Sequence, residues 1–130
     1  MIRLAKGFDV TSFLADPDHG VFFLGSRQGA LACYDLPSSR LMGVWRRIHG
    51  EESVRSIRLH GIQKDQYSTE IMTTGRDSVF KILKITVPDV LEGELPLDVV
   101  DGYLAGVRMQ IVHRSLLHRG WLEGVSSSFK

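Results

Sequence analysis

Short apolar stretches, broken at regular intervals by Gly, Pro, Asp and Ser, dominate the first 85 residues of the chain. Val10–Ala15 and Val54–Leu59 alternate apolar and polar side chains over part of their length, the mark of a half-buried strand. After loops holding Asp16-Pro-Asp-His-Gly20 and residues 61–67, Val21–Ser26 and Thr69–Thr74 read as second strands. Arg27-Gln-Gly29 and Arg76-Asp-Ser78 are predicted hairpin turns, because Gly, Asp and Ser tolerate the backbone such turns require. Ala30–Leu36 and Val79–Ile85 return as third strands, the latter rich in β-forming residues. Pro37-Ser-Ser-Arg40 then turns the first set into a fourth strand, Leu41–Ile48. The predicted unit is a four-stranded antiparallel meander.

The unit occurs twice. An offset of 49 places Arg27 over Arg76, Gln28 over Asp77, Gly29 over Ser78 and Tyr34 over Leu83; an offset of 44 places Val10 and Ser12 over Val54 and Ser56. The second copy, residues 53–112, is interrupted at 86–106 by a segment with five acids (Asp89, Glu92, Glu94, Asp98, Asp101) and no Lys or Arg. Pro88, Gly93 and Pro96 break any helix there, so an exposed acidic loop is expected, with at most a helical turn near Leu97–Val100. Val107–Val112 is the expected fourth strand, with Val107, Met109 and Ile111 on one face. Residues 118–130 read as the start of a third unit. The expectation is all-β, with units over 9–48, 53–112 and 118–130.

Composition removes several alternatives. Sixteen Lys and Arg face fifteen Asp and Glu, so no global field argues for nucleic acid or an anionic membrane. The longest apolar run, Ala30–Tyr34, is far shorter than the roughly 20 residues of a membrane-spanning helix. Cys33 is the single cysteine, which excludes an intrachain disulfide and a cysteine-rich zinc site. His113 and His118, five apart, suit neither one helix face nor one strand face, so no metal site is expected. Gly25-Ser-Arg-Gln-Gly29 lies between two strands and lacks the following helix of a phosphate loop, so no cofactor is expected either. A protein of the reducing cytoplasm is the reading.

A four-stranded repeat of this length, with a His-Gly corner and an Asp in its middle hairpin, resembles the WD repeat of β-propellers. Residues 9–85 carry the resemblance well and 107–125 loosely. Tyr34-Asp35 stands where the family's Trp-Asp pair falls, and Leu83 replaces that Trp in the second copy. The resemblance implies a structural hydrogen-bond network: His49, Thr73 and Asp77 occupy the positions of the family's buried imidazole, hydroxyl and carboxylate, with Tyr34 in the aromatic position. Within the family, Arg47-Ile-His-Gly-Glu-Glu-Ser-Val-Arg-Ser-Ile57, Thr74-Gly-Arg-Asp77 and Arg119-Gly-Trp-Leu-Glu-Gly124 are similar to the non-catalytic WD-repeat partner of a tRNA anticodon-loop ribose 2′-O-methyltransferase. That likeness implies a scaffold role and such a methyltransferase as protein partner; the alternative is a generic WD-repeat adaptor of ubiquitin-ligase or trafficking complexes without an RNA connection. Propellers close with about four to eight blades, so about two units imply a fragment, prone to self-association when made alone.

His49 with Asp77 could also be half of an acid–base pair, but no serine sits in a nucleophile setting, and catalysis by a small β-rich enzyme is the weakest reading. Arg40, Arg46, Arg47, Arg55 and Arg58 cluster around Trp45, and Arg108, Arg114, Arg119 and Lys130 follow the acidic segment. Gathered on one face, Arg46, Arg47, Arg114 and Arg119 would offer phosphate contacts to structured RNA, with Trp121 an exposed interaction point. The competing expectation pairs these arginines with the acidic segment.

Overall fold

The structure, a computed structural model, describes residues 3–60 and 68–116; the proposed third unit at 118–130, with Arg119 and Trp121, lies outside the described residues. The described chain is all-β. Two antiparallel sheets follow one another: β1 (Val10–Asp16), β2 (Val21–Ser26), β3 (Leu31–Asp35) and β4 (Leu41–Trp45), then β5 (Val54–Leu59), β6 (Ser68–Gly75) and β7 (Val79–Thr86). A two-residue β8 (Gly102–Tyr103) joins the first sheet beside β4, and β9 (Arg108–Leu116) completes the second beside β7.

The two sheets share irregularities, which is stronger evidence of repetition than sequence identity. The β1–β2 register shifts between Val10 and Ser12, and the β5–β6 register shifts between Val54 and Ser56. On the outer pair, register shifts fall at Cys33/Tyr34 in the first sheet and at Ile82/Leu83 in the second, positions the offset of 49 superposes. Bulges are placed features, not accidents of sequence. The middle hairpins also match, because Gly29 (φ 88°) and Ser78 (φ 62°) both take the left-handed conformation at the third turn position. Serine is strained there where glycine is not. Ser78→Gly is therefore expected to stabilise the fold by about 1 kcal/mol, read as a rise of a few degrees in the thermal midpoint.

One apolar cluster joins the sheets face to face: Val21, Phe23, Leu31, Cys33 and Met42 meet Val54, Ile57, Ile71, Leu83 and Ile85. At the inner edge the sheets touch directly. The Thr11 and Ser12 hydroxyls, beside the β1 bulge, both donate to the Val54 carbonyl, at 2.7 and 3.0 Å. The insertion also contributes to the interface: its Leu91, Leu95 and Leu104, with Val107 just after it, pack into the same cluster.

This corrects the exposed-loop expectation for 86–106. The acids Glu92, Glu94, Asp98 and Asp101 do face solvent, but Leu95, Leu97 and Val99 alternate with them and point inward. Near Leu97–Val100 there is no helix but a single hydrogen-bonded turn, in which Val99 N–H donates to Pro96 O. The segment runs along β4, with Leu95 N–H donating to Leu41 O and Leu104 N–H to Met42 O, and so covers an edge that would otherwise be unpaired. Together with Ala5 and Phe8 it also covers the first sheet's second face, formed by Phe22, Leu24, Ala32, Tyr34, Leu41 and Val44.

Two strand boundaries differ as well. The fourth strand ends at Trp45, not Ile48, because Arg47 (φ 59°) and Gly50 (φ 61°) turn the chain toward the second sheet. The last strand runs from Arg108 to Leu116 at the edge of its sheet, and burial falls along its expected apolar face: Val107, just before it, is buried and Met109 half-buried, while Ile111 is 47% exposed.

Candidate functional site

The corner between the sheets, residues 46–53, carries a fully buried histidine, His49. Its backbone N–H donates to Gly29 O in the first sheet's hairpin, while its ring reaches the second sheet. Nδ1 lies 3.1 and 3.3 Å from the two oxygens of Asp77 in the β6–β7 turn, and Nε2 lies 2.9 Å from Thr73 Oγ1 on β6. A carboxylate only accepts, so the ring carries its proton on Nδ1 and donates to Asp77. Nε2 is then an acceptor, and the Thr73 hydroxyl donates to it. Asp77 also accepts the Val79 N–H, which fixes the turn.

Two glycines make this approach possible. A Cβ on Gly75 would fall on the His49 ring and the Asp77 carboxylate, and one on Gly29 would lie 2.6 Å from the Gly50 carbonyl oxygen. The corner is thus clasped between the middle hairpins of both sheets.

Burial pushes the His49 pKa below its ordinary value, and this outweighs the opposing pull of Asp77. The unfolded chain therefore takes up a proton more readily than the folded one. Stability contributed here is present above the unfolded pKa, about 6.5, and is lost as pH falls below it. The expected result is a thermal midpoint that declines on acidification below about pH 6.5, with a shallower decline in His49→Gln. Lys81 sits nearby with its pKa lowered, chiefly by burial and then by Arg114, its cross-strand partner on β9.

The fourth residue assigned to the network stands apart. Tyr34 is buried on the other face of the first sheet, stacked on Phe22 with centroids 4.8 Å apart, and its hydroxyl donates to Arg3 O. Leu83, where the second copy would need an indole donor, is buried in the apolar cluster. The network is three residues, not four.

Of the arginines expected at an RNA face, Arg119 lies outside the described residues, and the others differ in how they are engaged. Arg46 is tied to the insertion and to the N-terminal segment: its guanidinium donates to the carbonyls of Val99 and Val100 and to that of Lys6, and its backbone N–H to Asp101. Arg40 similarly donates to Gly93 O. Arg47 is highly exposed, with only a long contact to Glu51 at 3.8 Å, and Arg114 is exposed on β9. Cys33 is fully buried, and its thiol pKa is pushed far up by that burial, so it behaves as a small apolar side chain.

A second His–Asp–Thr group went unread in the sequence. Asp16, 2% exposed at the end of β1, accepts from His19 Nδ1 at 2.7 Å and from Thr69 Oγ1 at 3.0 Å, both on Oδ2. The Asp16-Pro-Asp-His19 turn was a visible signal for the first contact; Thr69 comes from the other sheet, and no spacing announces it. Among the described residues no three His, Cys, Asp or Glu side chains are grouped to hold a metal ion, and no helix is long and apolar enough to cross a membrane. Comparison with protein-family models, with curated proteins and with solved structures finds no match to this chain.

Proposed function

We propose that the chain is a non-catalytic scaffold built of two propeller-type blades, similar to the WD-repeat partner of a tRNA ribose 2′-O-methyltransferase. The observation that carries this reading is the buried His49 held between Thr73 and Asp77 at the corner of two repeated sheets. The ring and the Thr73 hydroxyl are both fully buried, out of reach of a substrate, as a structural role requires. The matched bulges and the shared left-handed turn position support two copies of one blade-like unit.

The insertion covers the β4 edge of the first sheet and leaves Phe13 of β1 exposed, whereas the second sheet ends in an exposed apolar strand, which is the surface for a partner or for self-association. There β9 presents Ile111, Val112 and Leu116 at 47, 50 and 63% exposure. The engagement of Arg46 favours protein contact over RNA contact. The test mixes the purified chain with a tRNA 2′-O-methyltransferase of the same source and follows co-elution and mass. A complex weakened by Ile111→Asp with Leu116→Asp is the expected result. Capture of a different protein partner would leave the generic adaptor and remove the methyltransferase; a chain that stays monomeric and binds no protein would remove the scaffold.

A further inference from the structure

Between the outer ends of the two sheets lies a pocket of about 430 Å³. His19, its side chain 7% exposed, and the buried Thr69 line it; the ring of His19 is held by Asp16 at 2.7 Å and Thr69 donates to the same carboxylate oxygen. Val87, Pro88 and Leu91 of the insertion give it an apolar side. Two carboxylates, Asp35 at the end of β3 and the exposed Asp89, also line it. Among the described residues no lysine or arginine does, and neither carboxylate has an ion-pair partner. Asp35 accepts the backbone N–H of Ser38 at 3.2 Å and its hydroxyl, contacts that hold the β3–β4 turn without neutralising the charge.

Concave apolar walls with a few placed polar groups are the general build of a ligand site. Among the described lining residues every formal charge is negative, and the apolar side is contributed by rigid proline and branched side chains. The chemistry that fits is a positive head on a hydrocarbon stem: the stem lies along Val87, Pro88 and Leu91, and the head meets Asp35 and Asp89. We propose that this pocket binds a guanidinium or ammonium group carried on an apolar stem. Such a group comes either from an arginine or lysine side chain of a partner protein or from a free aliphatic amine. The proposal goes beyond the scaffold reading and does not depend on which protein that scaffold serves.

The experiment titrates the full chain at low ionic strength with two probes, agmatine and a blocked pentapeptide with one central arginine, using N-acetyl-glutamate amide as the anionic control. Saturable binding of a cationic probe, no response to the control and loss of affinity with added salt are expected. Asp89 is exposed and holds no part of the fold, so Asp89→Asn should unfold like the parent and bind roughly fivefold more weakly. Binding of the peptide alone assigns the pocket to a partner's side chain; equal binding of agmatine assigns it to a free amine. Absence of saturation with both probes, or unchanged affinity in Asp89→Asn, would overturn the site, whatever the outcome of the methyltransferase experiment.

Discussion

Substituting His49 by alanine is expected to cost about 3 kcal/mol of folding stability, a fall of roughly 10 °C in the thermal midpoint. Two effects add. The side chain is fully buried, so its removal leaves a cavity under the corner. It also orphans the buried Thr73 hydroxyl and strips Asp77 of its ring donor. Asp77 keeps the Val79 N–H, so the β6–β7 turn should persist and the loss should fall on the joint between the sheets. Chemical denaturation of His49→Ala beside Thr73→Val and the double variant checks this: the two losses should be smaller together than summed, because both remove one hydrogen bond. Strict additivity would mean that the side chains act separately.

The second large effect is expected at Gly29. Its φ of 88° disfavours any side chain, and an added Cβ would lie 2.6 Å from the Gly50 oxygen and 2.8 Å from that of Glu52. Those are backbone atoms of the corner that carries His49, so no side-chain rotation relieves the clash. Gly29→Ala should cost about 3–4 kcal/mol, the sum of left-handed strain and overpacking. Gly20→Ala separates the two: φ is 66° there and nothing lies within 4 Å of the added carbon, so only the strain of about 1 kcal/mol applies. Equal losses in the two variants would mean that the first sheet's hairpin does not press on the corner.

Local features were legible in the sequence because local chemistry produces them. Arg27-Gln-Gly29 and Arg76-Asp-Ser78 announce hairpins through residues that accept positive φ, and the strands flanking them begin and end within about a residue or two of their expected positions. The strand ends at β4 were less visible, since Arg47 adopts a left-handed conformation that its side chain does not advertise. The insertion was misread for a different reason. Its charge and prolines suggested solvent, yet Leu95, Leu97 and Val99 alternate with Glu94, Pro96 and Asp98, a period of two that an edge-covering segment needs.

Of the polar groups, the His49 contacts followed from matching positions in a repeat, while Tyr34 was placed with them by analogy and lies on the other side of its sheet. The Asp16–His19–Thr69 group and the pocket beside it depend on how the two sheets face each other and on where the insertion returns. Neither relation has a counterpart in residue spacing. Arg46 illustrates the same limit: a run of arginines suggested an open basic face, whereas the folded chain uses one of them to bind three carbonyls.

The protonation of the His49 ring tests the joint between the sheets most directly. Long-range proton–nitrogen NMR correlation of the imidazole distinguishes the tautomers at neutral pH. A proton held on Nδ1, an acceptor Nε2 and a midpoint of titration below the ordinary histidine value are the expected result. A proton on Nε2, or a ring that averages both tautomers and titrates as in a free peptide, would contradict the corner described for this fold.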